Sequence, residues 1–159
     1  MKIDIICVGK IKEDFMRDAI NEYKKRLGRY ADISIIEVAD EPAPENASGS
    51  MCEQIKEREG QRIAKHIAPG AFVFALEIKG RELSSEELAK KIEELGVDGK
   101  SHLQFIIGGS IGLAKTISDS ADFKLSFGKM TFPHQLMRVI LLEQIYRAER
   151  IINHEPYHK

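Results

Sequence analysis

Apolar and polar positions along the chain switch repeatedly between two periods. Ile3 to Val8 is a short apolar, β-branched run, and Phe15, Met16, Ala19, Ile20, Tyr23 and Leu27 then recur at helical spacing up to Gly28. This predicts one strand followed by one helix. Ile33 to Val38 predicts a second strand, and Glu41 to Ser50, with Pro42, Pro44, Asn46 and Gly49, predicts a loop. Met51, Ile55, Ile63 and Ile67 predict a second helix ending at Pro69-Gly70, and the continuous apolar run Ala71 to Leu76 predicts a strand buried on both faces. Ser84-Ser85-Glu86-Glu87 reads as a capping box ahead of Leu88, Ile92 and Leu95, a third helix. Leu103 to Ile107 is a fourth strand running into Gly108-Gly109-Ser110-Ile111-Gly112, Phe123 to Phe127 a short fifth, and a last helix runs from near Pro133 to about Asn153. Strands alternating with helices, some strands apolar throughout, predict an α/β fold around a mainly parallel sheet with helices on both faces.

The final helix carries two apolar stripes, Met137, Leu141, Ile145, Ala148 and Ile152 on one side and Val139, Leu142 and Tyr146 nearly opposite. One core needs one stripe, so such a helix is either sandwiched inside its own fold or shared with a partner subunit, and for a terminal helix in so small a domain the partner is the favoured reading.

At 159 residues the chain has room for one domain, residues 1–159, which buries a core without disulfides or a structural metal. Twenty-four Lys plus Arg against 25 Asp plus Glu leave a net charge of −1, so any nucleic-acid contact must come from a local patch. Two cysteines without CxxC spacing suggest a reducing cytoplasm. The start of the chain lacks a small-residue cleavage site and is read as a strand, not a signal peptide, and no apolar run approaches the roughly 20 residues of a membrane helix.

Glycines after a strand let a ligand approach backbone amides, which makes Gly108 to Gly112 a candidate docking turn, although GGSIG matches neither GxGxxG nor GxxxxGK[ST]. The string His154-Glu155-Pro156-Tyr157-His158 has the zinc-protease spacing, but Pro156 forbids the helix on which that motif depends, so no metal is expected and the tail is read as exposed and partly ordered. Lys24, Lys25, Arg26 and Arg29 form the densest basic cluster. On pattern alone it is either a solvated helix end or an RNA-facing patch.

Three strings in order, Phe105 to Leu113, Leu125 to His134 and Arg138 to Ala148, followed by the closing Pro156-Tyr157-His158-Lys159, resemble the ribosomal RNA large subunit methyltransferase H family, the smallest branch of the SPOUT methyltransferases. The resemblance spans the whole chain. It implies an α/β sheet with a C-terminal trefoil knot, S-adenosylmethionine as cofactor, a homodimer, and methylation of N3 of a pseudouridine in 23S rRNA on the assembled ribosome, in the cytoplasm. It also implies cofactor contacts at Leu76, Gly108, Phe127, Gly128, Lys129, Met130, Thr131 and Phe132. Tyr157 and His158 become the catalytic candidates, and Arg138, Arg147 and Lys159 the RNA contacts. Imidazole is the group poised to titrate near neutrality, and a ring can stack on a base. The terminal Lys159, where the family pattern has arginine, offers a point charge without a bidentate fork. A noncatalytic dimeric ribosome-binding factor of the same fold is the alternative, distinguished by failing to bind the cofactor.

Overall fold

The computed structural model describes all of residues 1–159. Its elements are β1 (Lys2–Val8), α1 (Asp14–Leu27), β2 (Asp32–Val38), α2 (Gly49–Ala64), β3 (Phe72–Glu82), α3 (Ser85–Val97), β4 (His102–Ile107), α4 (Lys115–Ser120), β5 (Phe123–Ser126) and α5 (His134–Ile152). The strands form one five-stranded sheet in the order β2-β1-β4-β3-β5, and every pairing is parallel. The central strands are the apolar ones: Ile3, Ile5, Ile6, Leu103, Phe105 and Ile106 are fully enclosed, as strands covered on both faces must be. Odd positions of β1 (Ile3, Ile5, Cys7) face a core shared with α1, α3 and α5, where Phe74 and Phe105 stack with centroids 4.5 Å apart. Even positions (Ile6, Val8) meet Ile63 of α2 and Ile117 of α4 on the other face. Asp4, an acid inside this apolar strand, is kept there by neighbours on β4: Gln104 Nε2 donates to its Oδ2 at 2.9 Å, and His102 Nε2 lies 2.6 Å away.

Several boundaries differ from the pattern. Within the stretch expected to be loop, Ser48 caps α2, its Oγ accepting from the Met51 amide at 3.1 Å, so the helix starts at Gly49. The helix stops at Ala64, short of Pro69. β3 does not end at Leu76; its register with β5 breaks there and resumes at Arg81↔Leu125 and Glu82↔Ser126. The short α4 has too few residues to show a period. Phe15, counted on the buried side of α1, is 68% exposed. The capping box is present as read, with the Glu87 amide donating to Ser84 Oγ and the Ser84 amide to Glu87 Oε2.

The second stripe of α5 requires a correction. The helix lies between α1 and α3, and Leu142 is completely buried by its own chain, leaving only Val139 and Tyr146 half-exposed. A helix sandwiched inside its own fold has apolar residues on two faces for that reason. No helix is long and apolar enough to cross a membrane.

Candidate active site

The carboxyl ends of β4, β3 and β5 lie side by side, which brings Gly108, Leu76 and the Phe127 to Phe132 loop to one edge of the sheet. Open α/β sheets bind ligands at such an edge. β5 ends because Ser126 turns its hydroxyl inward: Oγ donates to the Ile78 carbonyl at 2.8 Å and accepts from the Gly128 amide at 3.1 Å. Gly128 then takes φ 109°, open only to glycine at low cost, with free space where a side chain would stand. A cavity of about 330 Å³ opens beside this turn. Leu83, Leu88, Leu125 and Phe127 form its apolar wall, and Ser84, Ser85, Ser126 and Gln144 its polar one.

Of the residues expected to hold a cofactor, Phe127 and Gly128 line this cavity. Leu76, within β3 at its register break, and Gly108, just past the end of β4, stand outside its walls, and Lys129, Met130, Thr131 and Phe132 are exposed on the loop, Met130 to 77%. At Gly108 the reason for glycine is internal. A Cβ there would lie 2.9 Å from the Gly112 carbonyl carbon, so the returning backbone of its own turn requires the small residue. Gly108→Val would therefore disturb the turn whether or not a ligand binds.

The tail is not a loose end, contrary to the expectation of partial order. Glu155 accepts from Tyr30 Oη at 2.7 Å and pairs with Arg29 and Arg150, and Arg150 Nη2 donates to the Pro156 carbonyl at 2.7 Å. This folds Tyr157 and His158 back over α5. Tyr157 Oη donates to Glu143 Oε1 at 3.0 Å, and burial followed by that carboxylate pushes its pKa up to about 12. The phenol thus stays protonated through the physiological range.

His158 Nδ1 lies 3.2 Å from Arg147 Nη1 and its Nε2 2.7 Å from Glu86 Oε1. A guanidinium only donates, so Nδ1 is the acceptor and Nε2–H donates to Glu86, which fixes the tautomer. The Glu86 backbone amide and this imidazole hold the Glu86 carboxyl below its usual range. Glu143 completes the link to the cavity: its Oε1 accepts from Arg147 at 2.6 Å and its Oε2 from Gln144 Nε2 at 2.8 Å, while Gln144 Oε1 accepts from Ser85 Oγ at 2.7 Å. A continuous chain of hydrogen bonds therefore runs from Tyr157 to the cavity wall.

Glu86, Glu143 and Gln144 were not singled out from the sequence. Glu143 and Arg147 are four apart on one helix, the one signal that could have coupled them. Arg138 is corrected from RNA contact to internal tie. Its side chain is 1% exposed, with Nη1 bonded to Glu37 at 2.8 Å and Nη2 donating to the carbonyls of Val8 and Gly9 at 3.2 and 2.7 Å. Lys159 is exposed. His154, at φ 54°, lies past the end of α5, so the HEPYH string is not helical, and no cluster of three or more His, Cys, Asp or Glu is placed to hold a metal ion.

The family model described as Predicted SPOUT methyltransferase matches residues 1–158. The chain belongs to the SPOUT methyltransferase family, and the C-terminal trefoil knot follows from that membership. Among curated relatives, it is 62% identical over 159 residues to the ribosomal RNA large subunit methyltransferase H of Bifidobacterium animalis subsp. lactis, covering all of both chains. It is 64% identical to the protein of that name from Bifidobacterium adolescentis and 63% to a putative one from Methanococcus maripaludis, again over both full lengths. A solved structure, that of a probable methylase family protein from Haemophilus influenzae Rd KW20, shares the fold at TM-score 0.56 and 13% identity, with 99% of this chain and 70% of that one covered.

Proposed function

We propose that this methyltransferase transfers the methyl group of S-adenosylmethionine to N3 of a pseudouridine in 23S rRNA, working as a cytoplasmic homodimer on the assembled ribosome. The observation that carries the reading is the hydrogen-bonded continuity between the tail and the cavity, in a chain of the same length as relatives named for the large ribosomal subunit. The cavity residues fit the cofactor. Leu83, Leu88, Leu125 and Phe127 offer an apolar wall for adenine, Ser84, Ser85 and Gln144 offer hydrogen bonds, and Glu82 offers a carboxylate to a cationic ligand. When bound, the cofactor supplies a methyl on a sulfonium.

The chain must align the target nitrogen and remove the N3 proton as the bond forms. His158 is suited to that proton: its Nδ1 already accepts a donor, Arg147, which a substrate N3–H would replace. Glu86, holding Nε2–H, would orient the ring and stabilise the imidazolium. Tyr157, protonated, positions and stacks without acting as base. Radiolabelled methyl incorporation into ribosomes, with the product nucleoside identified by mass and chromatography, tests the reading. No incorporation by a folded, cofactor-binding protein would overturn it. Phe127→Ala should weaken cofactor affinity about tenfold through lost apolar contact, measured by calorimetry.

A further inference from the structure

All four tyrosines of the chain meet at one corner, where the end of α1, the last turns of α5 and the tail converge. Tyr146 is the hub: its ring centroid lies 6.3 Å from Tyr23, 6.3 Å from Tyr30 and 4.9 Å from Tyr157. Arginines lie on these rings. Arg26 is 5.4 Å from the Tyr23 centroid, Arg29 is 4.9 Å from Tyr30, Arg147 is 4.7 Å from Tyr157 and Arg150 is 5.9 Å from Tyr146.

The corner also concentrates charge. Arg26, Arg29, Arg147 and Arg150 stand against the carboxylates that pair with them, Glu22, Glu143 and Glu155, and Lys24 and Lys25 lie in the same last turn of α1 as Arg26, in a molecule whose net charge is −1. The surplus lies on the α1 side, where Lys25 is exposed and the side chains of Arg26 and Arg29 are 42% and 64% exposed. An arginine held against a ring by one face, and by a carboxylate at its edge, has its other face free and little conformational freedom left to lose. Planar guanidinium faces of this kind stack on unpaired bases, while neighbouring ammonium groups neutralise phosphates. An acidic peptide would use the cations but has no need of ring-backed planar faces.

We propose that this tyrosine–arginine corner is a docking platform for a looped RNA strand flanking the target nucleotide, with Arg26 and Arg29 stacking on bases and Lys24 and Lys25 contacting phosphates. The inference rests on the ribosomal RNA reading above and adds a surface outside the catalytic pocket. Tyr157 belongs both to the corner and to the hydrogen-bonded tail, so RNA held here is led toward the cavity.

The test compares wild type with Lys25→Gln/Arg26→Gln and with Arg26→Lys, using 70S ribosomes as acceptor. The double variant should raise KM for ribosomes about tenfold and make the dependence of log affinity on log salt shallower by about 1 to 2, with kcat at saturating ribosomes and cofactor affinity unchanged. Arg26→Lys should keep the salt slope yet raise KM, because the charge remains and the planar face is lost. Unchanged KM and salt slope in the double variant would overturn the platform. A fall in kcat at constant KM would also overturn it, by showing that these residues serve only to anchor the tail, as would charge-dependent binding to a ribosomal protein in place of RNA. Wild type that sediments with ribosomes in this charge-dependent way but transfers no methyl would instead remove the proposed reaction and leave the platform standing.

Discussion

His158 sits between a group that can only donate and a group that, ionised, can only accept. That polarity assigns each ring nitrogen a task, and it predicts that the partner on Nε2 matters for rate more than for binding. Glu86→Gln should lower kcat about tenfold, a fraction of the usual general-base contribution, with cofactor affinity and ribosome KM unchanged. Tyr157→Phe should leave the shape of the pH–rate profile intact between about pH 6 and 9, since a phenol pushed up to about 12 does not titrate there. A different carboxyl reports on stability. Burial raises the pKa of Glu149, partly offset by the amino terminus of Met1. The folded state therefore holds a proton that the unfolded chain releases, and stability falls as pH rises through the ordinary carboxylate range to the folded value. Glu149→Gln should raise the melting temperature at neutral pH, with the gain shrinking as pH drops below the raised folded value of Glu149 and gone by about pH 4.

At the scale of elements, α5 decides between folding and association. Leu142→Glu places a carboxylate in a site its own chain fully encloses, which costs several kcal/mol against a total stability of about 5–15 kcal/mol, so the expected outcome in circular dichroism is unfolding. Val139→Glu, at a half-exposed position, should stay folded and sediment as a monomer if the proposed dimer uses this face. The same helix marks what sequence patterning could and could not reach. Its existence and inner stripe were legible because burial repeats with the helical period. The meaning of Leu142 was not, because a face covered by the chain's own core and a face covered by a second subunit have the same period. Arg138 was ambiguous for a related reason: only the fold reveals that its guanidinium reaches carbonyls at the end of β1. The β3 register break and α4 were missed because pairing partners and single short turns leave no periodic trace, whereas the capping box before α3 is local and was read correctly.

For the whole molecule, the tail joins the fold to the reaction. Removing Tyr157, His158 and Lys159 deletes the contacts to Glu143 and Glu86 but leaves the Glu155 staple and both cores in place. The truncated protein should melt slightly lower, keep its cofactor affinity and transfer no methyl to ribosomes in the radiolabel assay. Equal incorporation by both proteins would move the base elsewhere, with the half-buried His134 the next residue to test. Patterning alone gives an unknotted doubly wound sheet, because knots are nearly absent among folds and no local period encodes threading. Only the ordered strings of the C-terminal third, and the family they belong to, carry that information.

The tie from Arg138 to Val8 and Gly9 also has a history in time. During synthesis β1 and then β2 leave the ribosome first, but the other edge of β1 has no partner until β4 is made, and the carbonyls at its end none until the last helix. For most of translation the nascent chain therefore carries an open, strongly apolar strand edge, the feature that pairs most readily with other chains. The yield of this protein should consequently depend on how quickly its last third leaves the ribosome, and on whether a chaperone shields β1 until it does.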